Sequence, residues 1–186
     1  MGAFYKSLAT AGFVLLGIKT AQAAEFSVRD LYKRELTTSY EAVLVKSLRA
    51  EGAPAVDRLF EQFRALRGEP AALSLDERSN RPGYQGDRRF FSLLDQVCAQ
   101  RYCAQSHLFW HTDYRSALEQ SKREHKPVLA LTLLGDLRAE LSCANSRFFR
   151  VLLYPDPDVS KLLREKFVLY WRAERKVPKI EIDFGD

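Results

Sequence analysis

The segment VLALTLL, Val128 to Leu134, constrains the fold more than any other part of the chain, because it is apolar at nearly every position. It has the length of a strand rather than of a helix. A strand that is apolar on both faces is covered on both sides, as in a parallel sheet. Pro127 ends the helical pattern before it, and Thr112 or Asp113 can cap that helix. The segment therefore predicts a buried central strand.

The patterns after this strand continue to alternate. Residues 142–154 and 156–166 have helical patterns, and the second of these begins with Asp156 as a cap. FVLYWRA, residues 167–173, predicts a second strand, and KIEIDF, residues 179–184, alternates like a half-exposed third. Helix, strand, helices, strand, strand is an α/β order.

The first half of the chain predicts a small helical region over residues 24–106. Residues 27–50 favour one helix, and residues 54–68 favour another with one apolar stripe, bounded by a proline and a glycine. Residues 69–89 are rich in charges and breakers and predict a long surface loop. A third helix is expected over residues 89–103. The region contains no recognisable catalytic constellation.

Residues 1–23 have the pattern of a secretory signal peptide. Lys6 precedes an apolar run from Leu8 to Ile18, and small residues occupy positions 21–23. We expect an exported, periplasmic or extracellular protein that starts near Ala24 and has no membrane segment after cleavage. An uncleaved anchor is the alternative, because Lys19 lies close to the cleavage point.

Charge and glycine content exclude some classes of partner. Removing residues 1–23 takes away two lysines, so 29 basic and 24 acidic residues become 27 and 24, a net charge of about +3. Such a surplus without a basic cluster gives no reason to expect nucleic acid. The 9 glycines form no phosphate-binding loop, so we expect no cofactor.

Three cysteines in an exported chain leave at least one thiol unpaired within the chain. Cys98 and Cys103 are close in sequence, but five residues of continuous helix would turn them to different faces. Either the helix ends near Arg101 and the two form a disulfide, or both are buried and unpaired. Cys143 is the remaining cysteine in both cases.

Two other kinds of site are weakly indicated. His107 and His111 have a spacing that serves a metal on a helix, but they precede the expected helix cap and no third ligand follows at a recognisable spacing. We expect structural histidines and no metal. A serine hydrolase would need glycines around its nucleophile, and Ser142 and Ser146 have none.

The second half resembles the secreted thioredoxin-like proteins. The resemblance covers residues 107–186 and depends on the order and spacing of twelve positions. The matching residues are Trp110, Asp113, Tyr114, Ala117, Leu118, Lys126, Pro127, Cys143, Asp156, Val159, Phe167 and Val168.

The resemblance implies a thioredoxin-like domain and a reactive thiol. In that fold the attacking cysteine begins the helix after the central strand, where Cys143 stands, and the helix amino end lowers a thiol pKa. Ser146 occupies the position of the second cysteine of a dithiol motif, so a mixed disulfide at Cys143 has no resolving neighbour. Pro178 is the candidate for the proline that faces the cysteine. The implied partners are protein thiols or disulfides.

Several departures leave enzyme activity open. Eight residues, 135–142, separate the strand from Cys143, and no tryptophan precedes the cysteine. The sequence stops at Asp186, before the hairpin strand and last helix of the fold, so residues 107–186 are expected to form a truncated domain whose edge strand needs a partner. One alternative is a non-catalytic binding or scaffold domain with an inert Cys143. Another is a nonfunctional truncated product.

Overall fold

The structure is a computed structural model that describes residues 26–33, 35–68, 82–140 and 142–174. The predicted signal peptide over residues 1–23, the strand over residues 179–184 and Pro178 lie outside these residues. No helix in the described ranges is long and apolar enough to cross a membrane.

The described part of the first half is helical. The helices are α1 Asp30–Lys33, α2 Thr38–Glu51, α3 Ala53–Arg67, α4 Tyr84–Cys98 and α5 Cys103–Ser106. The Thr37 side chain caps α2 by accepting a hydrogen bond from the Tyr40 N–H. Gly52, at φ 79°, ends α2 and lets α3 follow at once. The single helix predicted over residues 27–50 is therefore wrong in extent, since α1 and α2 are separate.

Helix α4 begins at Tyr84, five residues before the predicted start, so the end of the predicted loop over residues 69–89 is helical. The charge-rich sequence concealed this helix because its polar residues are paired across the fold. Asp87 is fully buried and accepts hydrogen bonds from Arg67 and from the Tyr32 hydroxyl. A buried charge is tolerated when it is paired in this way.

The second half is an α/β unit, which confirms the predicted class. Its elements are β1 Trp110–His111, α6 Tyr114–Glu124, β2 Val128–Leu133, α7 Ala144–Phe148, a π-helical segment Phe149–Leu153, α8 Pro157–Lys166 and β3 Val168–Ala173. The strand order is β1-β3-β2, and both pairings are parallel. The Asp113 and Asp156 side chains cap α6 and α8, as the sequence predicts for α8 and allows for α6.

The prediction that β2 is buried along its length is wrong, whereas its central position depends on the strand predicted over residues 179–184, which lies outside the described residues. Among the described strands, β3 lies between β1 and β2. Leu133 is the one fully buried residue of β2, whereas Ala130 and Thr132 are exposed. The side chains of Leu129 and Leu131 pack against the core from one face only. The apolar run overstated burial because its smaller residues face outward.

The core consists of two clusters of buried side chains. The first lies among α1 to α4 and extends to Phe109, and the second covers the sheet and includes Ala99. The chain's two tryptophans join the halves, because both donate their indole N–H to the segment after α4. Trp110 donates to the Gln100 side chain at 2.7 Å, and Trp171 donates to the Ala99 carbonyl at 2.9 Å.

A disulfide joins Cys98 to Cys103. The predicted alternative of a bonded pair is therefore confirmed, and the alternative of two unpaired cysteines is wrong. A disulfide required the helix to end near Arg101, and helix α4 ends three residues earlier, at Cys98. The chain then turns back, with Ala99 and Tyr102 at φ 52° and 63°. Both cysteines are fully buried. The Asp95 carboxylate accepts the Cys103 N–H at 3.0 Å and closes the turn. We call residues 99–102 the disulfide turn.

Candidate functional site

Cys143 stands at the amino end of α7, as its N-cap residue. Its backbone is extended, with φ −55° and ψ 157°, and the helical chain then runs without a break through the π-helical segment to Leu153. The side chain is partly exposed, and it is the one free cysteine in the described residues. The structure therefore leaves this residue partly open to solvent.

Ser146 lies beneath the thiol. Its side chain is fully buried, and its Oγ is 3.1 Å from the Sγ of Cys143. Residues three apart on a helix share a face, so the helical backbone itself brings the N-cap and this serine together. The structure thus unites two of the three predicted site residues, and the third, Pro178, lies outside the described ranges.

These surroundings lower the pKa of the Cys143 thiol below its usual value. The hydrogen bond from the Ser146 hydroxyl is the largest cause, and the backbone N–H of Ser146 adds to it. Partial burial opposes the shift, whereas the backbone N–H groups of Asn145 and Gly135 support it. Each donor stabilises the thiolate more than the thiol.

The loop after β2 returns to the cysteine. A Cβ atom on Gly135 would stand 2.9 Å from the backbone nitrogen of Cys143, closer than such atoms approach in proteins. Only glycine fits this close approach of two chain segments. The segment that begins at Gly135 therefore starts against the backbone of Cys143.

Arg150 holds this loop, and sequence reasoning missed it. Its side chain is 1% exposed, and its guanidinium donates to the carbonyls of Leu137 at 3.0 Å, Ala139 at 2.6 Å and Glu140 at 3.3 Å. An arginine within the apolar run FFRVLL, four residues after Ser146, was the available signal. Buried arginine is rare unless it is paired, and here three carbonyls pair it.

An exposed apolar face adjoins the site. Three side chains of α7 and the π-helical segment are more than half exposed, namely Phe148 at 53%, Val151 at 52% and Leu152 at 63%. Large apolar side chains that cluster at the surface mark interaction sites more often than single ones do. We call these three residues the apolar face.

The histidines form part of a separate, internally paired group. The Nε2 atom of His111 lies 2.6 Å from the Gln120 side-chain oxygen, and Gln120 donates in turn to Glu124. Burial lowers the pKa of His111. The His107 ring stacks on Phe60 at 3.7 Å. No group of three or more metal-ligating side chains occurs in the described part of the chain.

No protein-family model, curated protein or solved structure matches the chain. The resemblance to thioredoxin-like proteins therefore depends on the chain's own residues alone.

Proposed function

We propose that the chain is an exported thioredoxin-like protein that exchanges thiols and disulfides through Cys143. The observation that carries this proposal is the position of the Cys143 sulfur, partly exposed at a helix N-cap and 3.1 Å from the buried Ser146 hydroxyl. The parallel arrangement of β2 and β3, with the cysteine at the start of the helix between them, also supports a thioredoxin-like domain. The proposed partners are protein thiols and disulfides.

The chemistry follows from one thiolate and one hydroxyl. The Cys143 thiolate attacks one sulfur of a partner disulfide, a mixed disulfide forms, and the other partner sulfur leaves as a thiolate. The Ser146 hydroxyl can donate a hydrogen bond to the thiolate but cannot attack the mixed disulfide. A second thiol, from the partner or from a small molecule, must therefore attack to release Cys143. The net result is rearrangement of disulfides without net oxidation.

The pH dependence of alkylation tests this proposal. Iodoacetamide is added to the intact, oxidised chain over a range of pH, and modification of Cys143 is followed by mass spectrometry. We expect the rate of modification to reach half of its maximum well below pH 8.5, because the pKa of an ordinary thiol is about 8.5. A small disulfide such as oxidised glutathione should form a mixed disulfide with the wild type and not with Cys143→Ser. Ordinary, slow labelling with no mixed disulfide would reject the exchange function.

The apolar face favours a second candidate, a non-catalytic domain that binds a protein partner. Phe148 and Leu152 are solvent-exposed, so replacing them with serine should alter the stability by less than about 0.5 kcal/mol. A binding domain would lose its partner in the variant Phe148→Ser/Leu152→Ser and keep it in Cys143→Ser. An exchange protein would instead lose most of its disulfide-exchange activity in the variant Cys143→Ser.

A further inference from the structure

The disulfide turn touches the loop that leads to Cys143. The backbone N–H of Arg101 donates to the Leu137 carbonyl at 3.0 Å, and the Arg101 guanidinium forms an ion pair with Glu140 at 2.8 Å. On its other side the turn is fixed to the sheet, because its Ala99 carbonyl accepts the Trp171 indole N–H. The turn therefore lies between β3 and the loop over residues 135–140.

The Leu137 carbonyl accepts hydrogen bonds from two donors that belong to different segments. One is the Arg101 N–H of the disulfide turn, and the other is the buried guanidinium of Arg150. Leu137 itself is fully buried in the second cluster, as is Ala99. The Tyr102 ring lies close to both guanidinium groups, 5.5 Å from that of Arg101 and 5.8 Å from that of Arg150. The loop is thus clamped between the turn and the helical segment that carries Cys143.

The position of the loop matters at the sulfur. Gly135 begins the loop, and its backbone N–H is one of the donors that favour the Cys143 thiolate. The same glycine approaches the Cys143 backbone so closely that no larger residue fits. Movement of the loop away from the turn would therefore alter the surroundings of Cys143.

The turn depends on its covalent closure. Ala99 and Tyr102 adopt left-handed backbone conformations at φ 52° and 63°, which non-glycine residues rarely adopt. The Cys98–Cys103 bond holds the two ends of these residues together. Without it, the chain from Cys98 onward can relax toward ordinary helical or extended backbone, and the Arg101 N–H then leaves the Leu137 carbonyl.

We propose that the Cys98–Cys103 disulfide is a positioning element for Cys143, so that the thiol gains its full reactivity only in a chain whose first two cysteines are bonded. The inference rests on the proposed function, because it concerns how the same thiol is prepared. It implies that oxidation of a buried thiol pair raises the rate at which Cys143 reacts.

The double variant Cys98→Ala/Cys103→Ala tests this, since it leaves Cys143 as the sole cysteine. We expect its alkylation by iodoacetamide at pH 6.5 to be about fivefold slower than that of the oxidised wild type. The matched control is Val56→Ala, which removes packing from the first cluster far from the turn in sequence and should label at the wild-type rate. Equal rates in the double variant and the wild type would overturn the inference.

Folding of the double variant is checked at the two tryptophans. Both indole N–H groups donate to residues 99 and 100, so their proton–nitrogen resonances report the segment directly. We expect two dispersed resonances, with the Trp171 signal shifted. If both collapse to unfolded positions, Cys98→Val/Cys103→Ala replaces the double variant, because it also lacks the disulfide and refills part of the buried space that the disulfide leaves. It should slow labelling about fivefold as well, and an unchanged rate would again overturn the inference.

The two proposals fail differently. If Cys143 of the oxidised wild type reacts as an ordinary thiol, the exchange function fails and the inference fails with it. If the wild type reacts fast and the double variant, with its fold intact, reacts equally fast, only the positioning role is lost.

Discussion

The Oγ of Ser146, enclosed on all sides, lies 3.1 Å from the Sγ of Cys143, which is partly exposed. Because it is buried, this hydroxyl has no contact with bulk water, and it can donate its proton to the Cys143 thiolate. The serine that stands where a dithiol motif has its second cysteine therefore stabilises the thiolate, although it cannot resolve a mixed disulfide.

Replacing Ser146 with alanine should raise the pKa of Cys143, because the largest cause of its lowered pKa is this hydroxyl. We expect alkylation at pH 6.5 to slow severalfold, because a smaller fraction of the thiol is then ionised. The control is Ser142→Ala, one residue before the cysteine, whose buried hydroxyl has no hydrogen-bond partner in the described residues. Its loss should leave the labelling rate unchanged. Equal effects of the two changes would contradict a specific role of Ser146.

Replacing Arg150 with methionine should destabilise the fold by about 2 kcal/mol, because the Ala139 and Glu140 carbonyls lose this donor and the Leu137 carbonyl keeps only the Arg101 N–H. It should also slow alkylation of Cys143, since the loop that bears Gly135 is released. Chemical denaturation and the labelling rate measure the two effects. Arg147→Met, an exposed change on the same helical segment, should alter stability by less than about 0.5 kcal/mol. A similar loss of stability in both variants would show that the positive charge, rather than the contacts with the carbonyls, stabilises the fold.

The free energy of unfolding should depend on pH because of Asp95. Burial raises the pKa of Asp95 to about 6, so the folded chain binds this proton more tightly than the unfolded chain. The free energy of unfolding should therefore fall as pH rises from about 4 to about 6 and stay level above, with a total change of about 2 kcal/mol for a half-buried carboxyl. Urea denaturation at several pH values measures it. Asp95→Asn should lack this component, and parallel curves for both proteins would exclude Asp95 as its source.

Gly86 lies within helix α4, where alanine ordinarily adds about 1 kcal/mol of stability. Here a Cβ atom would overlap the Tyr32 ring, so Gly86→Ala should instead destabilise the fold by about 2 kcal/mol. In a Tyr32→Ala background the same change should be neutral or stabilising, because the overlap is gone. Thermal denaturation of the four proteins of this cycle gives the coupling. Additive effects would show that the ring does not meet the added methyl group.

The sequence by itself determined the features that depend on neighbouring residues. Asp113 and Asp156 accept hydrogen bonds from N–H groups two or three residues ahead, so helix starts could be predicted from position alone. The apolar run after Pro127 gave a strand for the same local reason. The position of Cys143 before a helix also followed from the residues around it.

Tertiary structure decided what depends on residues far apart in the chain. The place of β3 between β1 and β2 follows from its pairing with both, and the early start of α4 follows from the pairing of Asp87 with Arg67. The disulfide turn meets the loop before Cys143 through the Arg101 N–H and the Leu137 carbonyl, which belong to segments with no common pattern. Local periodicity carries no record of such contacts, because each is selected by burial and hydrogen bonding only once the whole chain has packed.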